Sequence, residues 1–230
     1  MWGVKLECYN KQRLDELYNG ILEQNRHKLL SGGTGDPFLT SSSIDERMAL
    51  VLVFRPSVEV VVKITTHLGK LRDMEPNLYF YPARDLHVTV IDILKGRLGR
   101  QIPDNIEQYI QCIKECAAQI RPFSVEFEGM TSSDNAAMVK GFYEADLENF
   151  RIMIRHAFAE KSLPLEERYQ TISSHITLVR IPVSLQNPKA FVDYIMEPVS
   201  FGTMKIDSLE LIFHNWYDSK KTILAKFSLH

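Results

Sequence analysis

The 230-residue chain is 45% hydrophobic and 24% charged, with a formal net charge of −2. That balance excludes disorder and fibrous repeats and leaves a globular protein able to bury one large core or two small ones. A pI near 6.4 gives no global positive field for long double-stranded nucleic acid, whereas a small or terminal nucleotide needs only a local pocket.

The N-terminal stretch MWGVKLECYNKQRLDEL carries charges where a signal peptide has its apolar region. No stretch approaches the ~18 uninterrupted apolar residues of a membrane span, so the expected setting is cytoplasmic, with no membrane partner. Residues 9–30 place Leu14, Leu17, Ile21 and Leu22 at helical spacing and predict an amphipathic helix. The following SGGTGDPF lacks the Gly-Lys-Ser/Thr and the preceding strand of a phosphate loop, and reads as a flexible connector. MALVLVF, Met48 to Phe54, predicts a buried strand, and SVEVVVKITTHLGKL behind Pro56 a helix. NLYFYP predicts a strand stopped by Pro82. Leu86 to Ile93 predicts another, and a helix follows within Asp104 to Ile120. In that helix Cys112 and Cys116 share one face without a nearby His or a second Cys pair. They read as small packed hydrophobes rather than zinc ligands, and Cys8 leaves an odd count with no disulfide framework.

The second half repeats this grammar. PFSVEFEGM and AAMVKGFY predict strands around a turn at Ser132, Ser133, Asp134 and Asn135. ADLENFRIMIRHAFAE predicts an amphipathic helix with Pro164 shortly beyond it. YQTISSHITLVRI predicts a strand, NPKAFVDYIME a helix, and SLELIFHNWY with KTILAKFSL a closing hairpin across Asp218 and Ser219.

One strand carries an unusual face. In LHVTVIDI the alternation of a strand puts His87, Thr89, Ile91 and Ile93 together and Leu86, Val88 and Val90 on the other side. An imidazole and a hydroxyl two residues apart reach one small anion, but a core histidine bonded to nearby backbone gives the same pattern. The second half decides between these readings. In SSHITLVRI, His175 falls on His87, Thr177 on Thr89, Val179 on Ile91 and Ile181 on Ile93, each 88 positions on. Two lobes that each present one His and one Thr suit attack at phosphorus. One imidazole takes a proton from the nucleophile and the other gives one to the departing oxygen, both near neutral pH. The two hydroxyls donate to non-bridging oxygens. No metal or cofactor is required.

The ordered pair HVTV and HITL resembles the two His-x-Thr-x motifs of the two-histidine (2H) phosphoesterase superfamily, which includes RNA 2',3'-cyclic phosphodiesterases once called 2'-5' RNA ligases. YPARDLHVTV looks like that family's approach to its first motif, PFSVEFEGM like its strand after the intervening helix, and LELIFHNWYDSKKTILAKFSL like its closing hairpin. The resemblance implies an α+β, bilobal, pseudo-two-fold fold with antiparallel sheets lining a central cleft and helices outside. It spans residues 46–230, with lobes roughly 46–120 and 121–230. Residues 1–45, an N-terminal helix and Gly-rich connector, lie outside it and leave room for a protein partner or a substrate cap. By this resemblance His87 and His175 are the catalytic pair, His87 leaning to acid and His175 to base, and Thr89 and Thr177 bind phosphate. The implied activity is metal-independent hydrolysis of 2',3'-cyclic phosphate RNA ends or related cyclic or 2'-5'-linked nucleotides, with reversible ligation in reach.

Tyr81, Tyr143 and Trp216 are candidates for stacking on a base, a contact worth ~1–3 kcal/mol, against ordinary core or rim packing. Arg84, in the same connection as Tyr81, is a candidate to approach the cleft. Arg180 lies five residues from His175, which in a regular strand puts it on the opposite face, in a structural role. His214 reads as a structural strand-end histidine, and His27, His67 and His156 fall in helices without metal-ligand spacing. Two other readings compete: a nucleotide-binding module of the same fold with little turnover, and a metal-dependent hydrolase using both histidines as ligands. The latter would add carboxylates, and regular alternation puts Asp92 on the wrong face.

Overall fold

The computed structural model of the chain describes residues 11–36, 38–39, 45–167 and 169–230; Cys8 lies outside them. In chain order the elements are α1 (Lys11–Leu30), β1 (Met48–Phe54), α2 (Val58–Met74), β2 (Tyr79–Phe80), β3 (Val88–Arg97), α3 (Ile106–Ala117), β4 (Phe123–Ser132), β5 (Ala136–Tyr143), α4 (Ala145–Glu160), β6 (Ile176–Arg180), α5 (Pro188–Ile195), β7 (Ser200–Ile206), β8 (Ser208–Asn215) and β9 (Lys221–Ser228). Helix α2 forms despite its β-branched residues because Ser57 caps it, its hydroxyl accepting from the Val60 N–H. Val60, Ile64, Leu68 and Leu71 then fall on one buried stripe.

The strands form one antiparallel sheet in the order β7-β4-β5-β6-β3-β1-β8-β9, with β2 on β6. The sheet curls into a half-barrel with the helices outside. Three expectations change. The strand expected over residues 169–181 is confined to β6. Strand β7 lies outside the expected strands; it pairs with β4 along Phe123↔Ile206 to Phe127↔Gly202. The closing hairpin β8–β9 binds the edge of β1, with Met48 opposite Asn215 and Val53 opposite Glu210, so residues 208–228 complete the first lobe rather than the second. The first lobe's β1 and β3 alone leave an edge, and the C-terminal hairpin covers it.

Helix α1 is part of the main core: Leu14, Tyr18, Leu22 and Leu29 are buried there with residues of β4, β5 and α5. The Tyr18 hydroxyl, fully buried, donates to the Gly141 carbonyl at 3.0 Å and accepts from the Ser174 N–H at 2.9 Å. Position 141 must be glycine, since a Cβ there would meet the Ser174 carbonyl oxygen at 2.0 Å. The connector is not a free tether where it is described. Thr34 N–H donates to the Asp134 carbonyl and Asp36 N–H to that of Ile181. Gly35 allows this close approach, a Cβ there standing 2.9 Å from the Pro182 carbonyl oxygen. Cys112 and Cys116 are free and buried in α3, as packed hydrophobes.

Candidate active site

Strands β3 and β6 meet through one bridge, Val88 opposite Ile176. These residues hold equivalent places in the repeat, so an approximate two-fold axis passes between them. Carrying the register one residue each way sets His87 opposite Thr177 and Thr89 opposite His175, about 4.5–5.5 Å apart at Cα for directly opposite residues. Val88 and Ile176 are fully buried in the core, while all four polar residues are half-buried on the other face. Each histidine stands one residue before its strand. Beneath them Ala49, Val51, Val53 and Ile212 form a small apolar cluster separate from the main core.

The Asp85 carbonyl accepts from His87 Nδ1 at 2.8 Å. A carbonyl cannot donate, so Nδ1 carries a proton and Nε2 is the nitrogen that exchanges protons with the cleft. His175 Nδ1 lies 2.9 Å from the Ser173 hydroxyl, which can accept or donate. Both histidines and both threonines keep partial exposure to solvent. Burial holds both imidazoles well below the ordinary histidine range. At His87 the charge of His214 adds to the fall, and the Asp218 carboxylate and Asp85 carbonyl oppose it. At His175 the guanidiniums of Arg180 and Arg151 add to it.

Both motif strands carry a β-bulge at the same step. In β3 Thr89 faces Val53 and Ile91 faces Leu52, leaving Val90 as the extra residue. In β6 Thr177 faces Met138 and Val179 faces Ala137, leaving Leu178 as the extra residue. The extra residue reverses the alternation. Ile91, Ile93, Val179 and Ile181 therefore turn into the core, and Asp92 and Arg180 turn onto the histidine face, which corrects both assignments. A signal for this was present. Strict alternation would have buried a carboxylate and a guanidinium among Val88, Val90 and Leu178, and a bulge avoids that cost.

Two further side chains organise the site. Arg151 of α4, fully buried, donates to the carbonyls of Thr89 (3.2 Å) and Val90 (2.7 Å) in the first motif. It also donates to those of Ile172 (3.1 Å) and Ser173 (2.6 Å) ahead of the second. One guanidinium thus fastens both halves together. Asp218, fully buried in the β8–β9 turn with φ 56°, accepts from Arg55 Nη1 at 2.6 Å and Lys221 Nζ at 2.8 Å. It pairs with His214 Nδ1 at 2.9 Å and stands 3.9 Å from His87 Nδ1. The His214 ring meets that of His87 edge-on at 5.6 Å, so His214 belongs to the site and not merely to a strand end. Burial pushes the Asp218 carboxyl up, but its hydrogen bonds with His214 and Arg55 and the nearby His87 hold it far below the usual carboxylate range.

The remaining candidates divide. Trp216 is 39% exposed, with the guanidiniums of Arg47 and Arg180 at 5.1 and 5.6 Å from its ring. Tyr81 is buried and its hydroxyl accepts from Arg180 Nε at 3.3 Å, so it holds an arginine rather than offering a face to a base. Tyr143 is buried, its hydroxyl bonded to the Ile172 carbonyl and to Arg151, and presents no surface for stacking. Arg84 is 83% exposed and turns to solvent beside Asp85. Among the described residues no group of three or more His, Cys, Asp or Glu is placed to hold a metal ion, and no helix is long and apolar enough to cross a membrane.

No family model matches the chain, and no curated protein sequence does. Solved structures do. TT0787 of Thermus thermophilus superposes with a TM-score of 0.59 at 18% identity, covering 79% of this chain and 97% of its own. Escherichia coli LigT complexed with 3'-AMP gives 0.56 at 16% identity, covering 80% and 99%. A structure described as a phosphoesterase gives 0.55 at 15% identity, covering 80% and 99%. The chain has a LigT-like fold.

Proposed function

We propose that the chain is a metal-independent phosphodiesterase that hydrolyses 2',3'-cyclic phosphate RNA ends, or related cyclic or 2'-5'-linked nucleotides, by acid–base catalysis at His87 and His175. The observation that supports this reading is the convergence of two His–Thr pairs on one face across the Val88–Ile176 bridge. Water attacks phosphorus as His175 Nε2 takes its proton. His87 Nε2 gives a proton to the departing ribose oxygen. Thr89 and Thr177 donate to the non-bridging oxygens, and Arg180 adds positive charge beside them. The Asp218 carboxylate, 3.9 Å from His87 Nδ1, supports this division of roles against the charges of His214 and Arg55, and the guanidiniums of Arg180 and Arg151 stand by His175. The bound phosphate's negative charge raises the proton affinity of both rings and restores the imidazolium that burial disfavours. LigT has been crystallised with 3'-AMP and with ATP, which supports a nucleotide as the ligand here. Trp216, exposed and near the guanidiniums of Arg47 and Arg180, is the surface on which its base would stack.

The test is a panel of 2',3'-cyclic nucleotides, cyclic dinucleotides and 2'-5' oligonucleotides in excess chelator, with product position assigned by phosphorus NMR. Turnover that persists with chelator and disappears in His87→Ala and His175→Ala, each still folded, is the expected result. Tight nucleotide binding with no turnover would instead favour a binding module, and activity abolished by chelator would remove the metal-independent reading.

A further inference from the structure

The twin bulges put residues of opposite charge at equivalent places. Asp92 lies 88 positions before Arg180 and shares its relation to the motif, three residues past the threonine. The two strands run antiparallel from the Val88–Ile176 bridge, so Asp92 and Arg180 lie on opposite sides of the phosphate site. Other carboxylates around His87 have cation partners. Asp85 pairs with Lys221 at 2.7 Å, Asp218 with Arg55 at 2.6 Å, Glu210 with Lys226 at 2.8 Å, and beyond them Glu167 pairs with Arg155 at 2.8 Å. Asp92, half-buried on the histidine face, has no hydrogen bond or ion pair among the described residues. It stands opposite Val51 beside the small apolar cluster of Val51 and Val53; burial disfavours its charge and the charge of His214 favours it.

We propose that Asp92 is a specificity-determining residue that turns away a second phosphate, so that the substrate carries phosphates on one side only of the reacting phosphorus. A strand end satisfies this by lying with its remaining phosphates towards Arg180. A diester inside a strand has phosphates on both sides, and whichever way it lies one of them must face Asp92. The inference rests on the activity proposed above and narrows its substrate class to termini.

The experiment compares Asp92→Asn and Asp92→Ala with the wild-type chain on two probes: an RNA dinucleotide ending in a 2',3'-cyclic phosphate, and a 5'- and 3'-phosphorylated 2'-5'-linked dinucleotide. Thermal melting checks that each variant is folded, and Asn keeps the shape of Asp. The expected result is that wild type prefers the first probe and that both variants raise the kcat/KM ratio of second to first about tenfold. The change shrinks at high salt as screening shortens the reach of the charge. A ratio unchanged in the folded variants, or a wild type that prefers the second probe, overturns the role of Asp92 and leaves the phosphodiesterase standing. A wild type that turns over neither probe, nor any member of the nucleotide panel, overturns both.

Discussion

The two motifs share a backbone and differ in their surroundings. His87 and His175 stand at equivalent places, each followed by a threonine, a bulge and a charged residue. Yet His87 is backed by a carbonyl, a second histidine and a buried carboxylate, whereas His175 is backed by a serine hydroxyl and two guanidiniums. The duplication sets where the two imidazoles stand. In the proposed reaction the loops and helices that differ between the lobes decide which one holds its proton, and a symmetric scaffold thereby supports an asymmetric reaction.

The sharpest way to break this comparison is to remove one histidine at a time. Each change to Ala should cost about 10²- to 10⁴-fold in kcat, or about 3–5 kcal/mol of barrier. A diester with an activated leaving group such as p-nitrophenolate should rescue His87→Ala but not His175→Ala, because only the acid becomes dispensable. Rescue of the opposite variant would reverse the roles. Next, Arg151→Met should remove the guanidinium shared by both motifs, leaving four carbonyls short of a donor. It should destabilise the fold by about 3–5 kcal/mol in urea titration. A loss under about 1 kcal/mol would show that the halves do not depend on it.

Smaller effects should follow from the residues that differ less. Thr89→Val and Thr177→Val should each lower kcat/KM by about 10- to 100-fold, one hydrogen bond to a charged oxygen being worth ~1.5–3 kcal/mol. A large inequality between them would mean that the phosphate sits off the two-fold axis. Smallest is the pH effect. Both imidazoles lose proton affinity on folding, so the alkaline limb of kcat/KM, where His87 loses its proton, should fall below the unperturbed value of ~6.5. Asp218→Asn removes a carboxylate that favours the imidazolium and should move that limb lower still. A limb that stays in place or moves up would detach Asp218 from His87.

Much of this was legible in the sequence. The paired His-x-Thr strands stand out because a polar face inside an apolar strand is costly unless used, and recurrence at a fixed offset makes chance a poor account. What was not legible came from residues that act across the chain. Arg151 reads as one more charge on an amphipathic helix, and its four carbonyl partners are visible only once β3 and the segment before β6 are side by side. Asp218 and His214 reach His87 because the terminal hairpin joins β1, a pairing that sequence order hides. Asp92 and Arg180 were misplaced because period two assumes no inserted residue. Strand β7 was missed because Ser200, Thr203 and Lys205 leave little apolar alternation around Gly202.

The Tyr18 hydroxyl has a practical consequence. It joins Gly141 to Ser174, the residue immediately before His175. A chain trimmed to the region that resembles known phosphoesterases would discard that tether along with residues 1–45, exposing the apolar surface that Leu14, Leu22 and Leu29 had covered. Such a trimmed protein should be poorly soluble and should hold His175 less firmly than His87, so a shortened form that keeps both histidines in place should begin ahead of the first helix.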